Sequence, residues 1–307
     1  MEKTKIHIPL TVPKNKISEY LKNYHIGTRG TGRLYMFACD QKVEHMNDDF
    51  FARGITPEMA DPEHFFKIAA GSNVGAMATQ LGLIAQYGRN YSHIPYIIKL
   101  NSKTNLLKTD EKDPYANLWH SMDEVMDFKR SSRLHIIGVG YTIYIGSWYE
   151  SDMFRQAAHM VYRAHKEGLL TVLWVYPRGK AITNERDPHI IAGGAGVACT
   201  LGADFVKLNY PKKDSKKSSE LLKESVVAAG RTGVICVGGS KKPAREFLQD
   251  VYDQIHISGS RGAAIGRNIF QRPLDEAIRM SSAVSAIIYH DTPVPRAYKI
   301  FISGAKP

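Results

Sequence analysis

Residues 204–211 place one lysine, Lys207, inside an otherwise apolar segment. Gly202 precedes this segment and is typical of a helix end, so the segment is predicted to be a buried parallel strand. Burial disfavours a charged lysine. Lowering its pKa from about 10.4 to about 7 would raise the neutral, nucleophilic fraction at pH 7 roughly a thousandfold, at a cost of about 4–5 kcal/mol. The segment therefore indicates a nucleophilic amine, and a lysine that reaches solvent from a strand end is the structural alternative.

Eight short apolar segments alternate with helical patterns along the chain. Strands are predicted at 34–39, 75–79, 96–100, 134–144, 169–176, within 204–211, at 233–237 and at 262–265. The chain has no composition break or low-complexity linker. It is therefore predicted to be a single (β/α)8 TIM-barrel domain over 1–307, with an N-terminal arm at 1–32 and a C-terminal helix and tail at 273–307. An open doubly wound sheet is the alternative.

Reactive side chains follow several of these strands, and the C-terminal strand ends of such a barrel face one cavity. Asp40 ends the first strand, Lys99 lies in the third, and Tyr176 ends the fifth. A neutral lysine, a carboxylate and a tyrosine hydroxyl suit Schiff-base chemistry on a carbonyl substrate, in which the protonated imine accepts electrons during carbon–carbon cleavage. Glu44 and His45 lie in the loop after the first strand and are candidate substrate contacts, with a structural role in that loop as the alternative.

Glycines follow the last two strands, where TIM barrels commonly bind phosphate. The seventh strand is followed by Gly238, Gly239 and Ser240, and the eighth by Gly266 and Arg267. Glycine lets backbone N–H groups approach an anion, and arginine adds a bidentate donor. These residues are therefore predicted to bind a phosphate group. The lysines at 212–217 are expected to form a solvated surface.

Composition limits the compartment and the partners. The three cysteines are an odd number without metal-ligand spacing, which favours a reducing compartment. There is no basic leader and no apolar run of membrane-spanning length, so we expect a soluble cytoplasmic protein that does not contact membranes. The net charge of +11 could favour nucleic acid. However, the basic runs lack stacking aromatics and known DNA-binding signatures, so no nucleic acid is expected.

Seven separated motifs occur in one order between residues 34 and 290. They are ACDQKVEH at 38–45, IKLN at 98–101, GYTIY at 140–144, WVYPRG at 174–179, DFVKLNY at 204–210, GGSK at 238–241 and GRN at 266–268. Together they resemble an archaeal-type class I fructose-bisphosphate aldolase, in the wider group of class I aldolase barrels that includes deoxyribose-phosphate aldolase.

The resemblance implies a lyase of glycolysis and gluconeogenesis that reversibly cleaves fructose 1,6-bisphosphate to dihydroxyacetone phosphate and glyceraldehyde 3-phosphate. It implies that Lys207 forms the imine, that Tyr176 exchanges protons and that Asp40 assists imine formation, with no metal or other cofactor. It also implies a homo-oligomer, possibly a decamer. The expected substrate-binding residues are Trp174, Arg178, His45, Lys99, Gly238, Gly239, Ser240, Gly266 and Arg267.

One departure from the family pattern leaves the substrate open. The family commonly has Asp-His-Gly where this chain has Asp40-Gln41-Lys42, and Lys42 could contact an anionic substrate group or point to solvent. Sister Schiff-base enzymes on the same barrel, an amino-dideoxy-heptulosonate synthase or a phospho-sugar thiolase, are alternatives. A noncatalytic barrel that binds phosphate or nucleic acid is a further alternative. Since Tyr141 and Tyr144 differ by three positions on one strand, at most one of them can face the cavity.

Overall fold

The fold is a closed barrel of eight parallel strands in chain order, with β1 pairing with β8. The computed structural model describes residues 6–45, 47–107 and 112–304. The strands are β1 (Leu34–Ala38), β2 (Ala76–Gln80), β3 (Tyr96–Lys99), β4 (Ile136–Ile145), β5 (Leu170–Pro177), β6 (Phe205–Leu208), β7 (Gly233–Val237) and β8 (Gly262–Ile265). The predicted TIM barrel is confirmed, and the open sheet is wrong because β1 and β8 close it.

Helices alternate with the strands and cover the outside of the barrel. They are α1 (Ile17–Thr28), α2 (Gln41–Glu44), α3 (Glu63–Ala70), α4 (Leu81–Tyr87), α5 (Met122–Ser132), α6 (Glu150–Lys166), α7 (Pro188–Thr200), α8 (Ser218–Ala228), α9 (Ala244–His256), α10 (Arg267–Phe270), α11 (Leu274–His290) and α12 (Val294–Ser303). Helix α5 begins with a capping box between Ser121 and Glu124, and α7 begins with Asp187 accepting from two backbone N–H groups.

Two layers of apolar side chains stabilise the barrel. One cluster fills its interior and includes Met36, Val172 and Trp174, and a larger one lies between the strands and the helices. Gly140 on β4 makes room for the interior layer, because a Cβ at that position would lie 2.2 Å from the Trp174 ring. The strands are therefore buried on both faces, which explains why they appear in the sequence as continuous apolar runs.

Both ends of the chain contain more structure than the sequence predicted. The expected N-terminal arm includes helix α1, whose Tyr24 ring stacks on Phe205 at 6.0 Å and whose Tyr20 hydroxyl donates to Asp204 at 2.6 Å. The expected C-terminal helix and tail is a pair of helices, in which α12 packs on α9 and α11. Helix α1 therefore covers the end of the barrel opposite the catalytic strand ends. Across the described ranges, no helix is long and apolar enough to cross a membrane.

Candidate active site

A cavity of about 430 Å³ opens at the C-terminal ends of the strands. Most of the predicted site residues line it, although they come from five different strands or the loops after them. The predicted residues on its wall are Asp40, His45, Tyr176, Arg178, Lys207, Gly238, Gly239, Gly266 and Arg267. Trp174, Lys99 and Ser240 are not on this wall.

Lys207 lies on β6 and is 5% exposed. In the barrel it is in register with Trp174 on β5 and Ile235 on β7, and its ammonium group lies 5.3 Å from the centroid of the Trp174 ring. Burial lowers the pKa of Lys207 below the usual lysine value, and the charge of Asp40 opposes this shift only in part. Its side chain is thus both open to the cavity and biased toward the neutral amine.

Lys99, a predicted substrate contact, is completely buried beneath the cavity wall. Its Nζ lies 3.1 Å from Asp40 Oδ2 and also forms an ion pair with Glu44. The physical reason is that a charged group inside a strand needs nearby counter-charges, which the loop after β1 supplies. Burial lowers the pKa of Lys99 to about 8 despite Asp40. Burial would raise the pKa of Asp40, but the charges of Lys99 and Lys207 outweigh it and lower that pKa to about 2.

Two tyrosines from neighbouring strands face the cavity side by side. Tyr144 on β4 is in register with Tyr176 on β5, and both line the cavity. Burial raises the pKa of Tyr144 to about 12, and burial together with the nearby charge of Asp40 raises the pKa of Tyr176 well above its ordinary value. Tyr141 points outward and donates to Gln156 at 2.9 Å, so the prediction that at most one of Tyr141 and Tyr144 faces the cavity is confirmed.

The glycine-rich ends of β7 and β8 form one edge of the cavity. Gly266 cannot be replaced without movement, because a Cβ there would lie 2.6 Å from Gln41 Nε2. Asn268, which sequence reasoning did not assign, ties the two loops together by donating to the Gly238 carbonyl at 2.8 Å and the Ser240 carbonyl at 3.0 Å. Its position within the GRN motif was the available signal. This edge offers backbone groups and the Arg267 guanidinium to an anion.

Arg178 and His45 lie on the cavity wall with acidic partners. Arg178 donates to the Glu185 carboxylate from Nε at 3.0 Å and from Nη2 at 3.1 Å. His45 Nδ1 is hydrogen-bonded to Asp49, whose Oδ2 is also 3.6 Å from Arg267 Nη1. Both predicted residues can therefore reach the cavity while already oriented by carboxylates.

The two residues that depart from the family pattern, Gln41 and Lys42, have different roles. Gln41 is buried and lines the cavity. Lys42 does not, because its Nζ donates to the Ala60 carbonyl at 3.0 Å and lies 4.4 Å from the centroid of the Phe50 ring. Lys42 thus stabilises the loop after β1, and neither the substrate contact nor the solvent-facing position considered from the sequence describes it.

Glu44 is a site residue that the sequence left undecided between substrate contact and structure. It lines the cavity, pairs with Lys99 and accepts from Ser102 Oγ at 2.7 Å. Asn105 and Asn209 also line the cavity. Asn209 belongs to the DFVKLNY motif, whereas Asn105 lies in a loop without a distinctive pattern. Within the described part of the chain, no three His, Cys, Asp or Glu side chains are grouped so that they could bind a metal ion.

Comparisons with known proteins agree with this geometry. A family model described as DeoC/LacD family aldolase matches residues 34–272. A Methanocaldococcus jannaschii protein named fructose-bisphosphate aldolase/6-deoxy-5-ketofructose 1-phosphate synthase is 51% identical over 306 residues, covering 100% of this chain and 97% of the relative.

Solved structures show the same similarity. A fructose-bisphosphate aldolase from Slackia heliotrinireducens superposes with a TM-score of 0.95 at 48% identity, covering 99% of this chain and 96% of that one. An archaeal fructose-1,6-bisphosphate aldolase, with its catalytic lysine covalently bound to the carbinolamine intermediate of its substrate, superposes with a TM-score of 0.75 at 30% identity. It covers 88% of this chain and 99% of that one.

Proposed function

The chain belongs to the DeoC/LacD family of aldolases and is a class I aldolase, and from that premise we propose that it reversibly cleaves fructose 1,6-bisphosphate to dihydroxyacetone phosphate and glyceraldehyde 3-phosphate. The observation that carries the proposal is the position of Lys207, buried yet on the cavity wall, with a lowered pKa. A neutral amine in such a position can attack a ketone at neutral pH.

In the proposed reaction the Lys207 amine attacks C2 of the open-chain sugar, and loss of water gives a protonated imine. The C4 hydroxyl loses its proton, the C3–C4 bond breaks, and its electrons move into the imine to form an enamine. Tyr176 exchanges the protons at the C4 oxygen and at C3. Hydrolysis of the resulting imine releases dihydroxyacetone phosphate, and Asp40 assists the formation and breakdown of the imine.

The cavity wall offers partners for the phosphates of this substrate. The edge formed by Gly239, Gly266 and Arg267 would bind the phosphate on C1, and Arg178 after β5 is one candidate partner for the second phosphate. Trp174 would act from beneath, as the surface on which the Lys207 side chain rests. A phosphorylated sugar as substrate, a cytoplasmic location and a homo-oligomer, possibly a decamer, are parts of the same proposal.

Borohydride reduction in the presence of dihydroxyacetone phosphate, followed by peptide mass analysis, tests the nucleophile and the substrate together. We expect a triose phosphate adduct on Lys207 and none in the Lys207→Met variant. Lys99 is the internal control, because it is also buried with a lowered pKa but is enclosed by two carboxylates. An adduct on Lys99, or full cleavage activity in Lys207→Met, would reject the assignment.

A second candidate function follows from the name of the Methanocaldococcus jannaschii relative. Breaking the C3–C4 bond of 6-deoxy-5-ketofructose 1-phosphate yields dihydroxyacetone phosphate and 2-oxopropanal, so the same enamine would add to a different aldehyde. Product analysis with dihydroxyacetone phosphate and either glyceraldehyde 3-phosphate or 2-oxopropanal separates the two reactions. A chain that forms only the second product would be a synthase of the 6-deoxy sugar, and one that forms both would have the two activities.

A further inference from the structure

A second cavity, called here the side cavity, adjoins the catalytic one. It has a volume of about 430 Å³ and lies between the loop that follows β6 and the loop that follows β7. Asn209, Gly238 and Gly239 line both cavities. A ligand group in the side cavity would therefore lie directly beside the edge that we assign to the substrate's C1 phosphate.

The wall of the side cavity carries more positive than negative charge. One of its four cations, Lys242, forms ion pairs: its Nζ lies 2.6 Å from Asp250 Oδ2 and 3.1 Å from Glu246 Oε1. The other three are Arg186, Lys212 and Lys216. None of these three forms an ion pair with a carboxylate in the residues that the structure describes. Among the described residues, the acidic side chains on this wall are Asp250, which pairs with Lys242, and Asp214.

Hydroxyl groups complete the polar lining. Ser215, Ser218 and Ser240 all lie on the wall of the side cavity. Ser240 was expected from the sequence to contact the substrate phosphate of the main site, and the structure places it on this neighbouring wall instead. Ammonium, guanidinium and hydroxyl donors around one small volume are the groups that bind phosphate monoesters.

We propose that the side cavity is a second anion subsite, which binds a phosphate monoester beside the catalytic cavity. The inference rests on the proposed function for its choice of a sugar phosphate as the natural ligand. That group could come from two sources, the second phosphate of the bisphosphate substrate or a separate phosphorylated metabolite. The lysines at 212 and 216 are then ligand-binding residues, although the sequence predicted only a solvated surface at 212–217.

The loop after β6 supplies a matched pair of variants for the test. Lys212→Gln/Lys216→Gln removes two charges from the wall, and Lys213→Gln/Lys217→Gln removes two charges from the same loop at positions outside the cavity. All four lysines are exposed, so both double variants are expected to fold. Any difference between them reports on the cavity and not on the net charge of the protein.

The first measurement is a calorimetric titration with inorganic phosphate, which needs no catalytic activity. We expect the Lys212→Gln/Lys216→Gln variant to lose one phosphate-binding event that the wild-type protein and the matched variant keep. If both double variants titrate like the wild-type protein, or if both lose binding equally, the subsite is rejected. Because the titration measures phosphate binding without turnover, its result can be interpreted even if the proposed aldolase function is wrong.

The second measurement identifies the source of the phosphate group. If it is the substrate's second phosphate, the Lys212→Gln/Lys216→Gln variant loses about tenfold in kcat/KM for fructose 1,6-bisphosphate but little for fructose 1-phosphate. If it is a separate metabolite, both kcat/KM values stay near wild type and the variant loses an inhibition or activation by added phosphate. Either outcome supports the subsite. Unchanged kinetics with unchanged response to phosphate would overturn it.

Discussion

Two buried lysines, Lys99 and Lys207, lie against the same indole ring, each with its ammonium group 5.3 Å from the centroid of Trp174. Their surroundings separate their roles. Lys99 is enclosed by the carboxylates of Asp40 and Glu44, so its charge is neutralised by pairing. Lys207 opens to the cavity and has no such pair of carboxylates among the described residues. Access to the cavity, more than burial, distinguishes the proposed nucleophile from the lysine that positions Asp40.

The carboxylate of Asp40 should set the pH at which the amine of Lys207 becomes reactive. The amine is neutral above its pKa and protonated below it, and the charge of Asp40 raises this pKa against the effect of burial. Asp40→Asn removes that charge, so the pKa of Lys207 should fall further. The rate at which cyanoborohydride traps dihydroxyacetone phosphate on Lys207 rises with pH as the amine loses its proton. In Asp40→Asn this rise should occur at lower pH than in the wild-type protein.

The wild-type protein and Asp48→Asn are the controls for this pH profile. Asp48 also lines the cavity but is not among the charges that shift the pKa of Lys207. Comparing variants at each pH cancels the pH dependence of the reagent itself. If the trapping rate of Asp40→Asn rises at the same pH as in the wild-type protein, or at higher pH, Asp40 does not raise the pKa of Lys207.

Tyr176 should matter for proton transfer and not for imine formation. In Tyr176→Phe we expect kcat for cleavage to fall by about 10²–10⁴-fold, the usual size of a general acid–base contribution, while dihydroxyacetone phosphate is still trapped on Lys207. Tyr144→Phe is the matched control, since Tyr144 lies beside Tyr176 and lines the same cavity. A larger loss of kcat in Tyr144→Phe than in Tyr176→Phe would transfer the role to Tyr144.

At the scale of elements, strands were the easier part to predict. The predicted bounds of β7 and β8 agree with the structure, and the other strands differ by one or two residues at their ends, apart from β6, which was predicted only within 204–211. Strands buried on both faces leave continuous apolar runs between glycines and prolines. Helix α1 was missed because its apolar side chains are interrupted by polar residues. Helix α12 was missed because two closely spaced prolines stand at its start, Pro293 at the N-cap and Pro295 in the first turn.

Two glycines in different elements should respond oppositely to alanine. In Gly140→Ala the new Cβ would lie 2.2 Å from the Trp174 ring, so we expect a loss of about 1–3 kcal/mol in the free energy of unfolding and a lower kcat. In Gly193→Ala, on the exposed face of α7, nothing lies within 4 Å of the new Cβ. There we expect a gain of about 0.5–1 kcal/mol with unchanged kcat.

Chemical denaturation and steady-state kinetics on both glycine variants check this prediction. The Gly193→Ala variant shows whether alanine is tolerated in general, so the Gly140→Ala result can be assigned to Trp174. If Gly140→Ala were as stable and as active as the wild-type protein, the Trp174 ring would have room to move, and its proposed role beneath Lys207 would be lost.

For the whole molecule, the closed barrel is what brings the site together. Asp40, Tyr176, Lys207 and Arg267 could each be placed at a strand end from the sequence, and closure through β1 and β8 gathers those ends around one cavity. The sequence could not predict which side chains pair across strands. For this reason the burial of Lys99 was missed.

The net charge of +11 should act on the approach of anionic substrates to the whole molecule. Positive potential raises the encounter rate with phosphorylated sugars, and salt screens it over about 10 Å at 0.1 M. We therefore expect kcat/KM to fall several-fold from low to high ionic strength, and more steeply for fructose 1,6-bisphosphate than for fructose 1-phosphate because it carries a second phosphate. Measuring both substrates across a series of potassium chloride concentrations checks this. Equal slopes for the two substrates would mean that the overall field of the protein does not contribute to their capture.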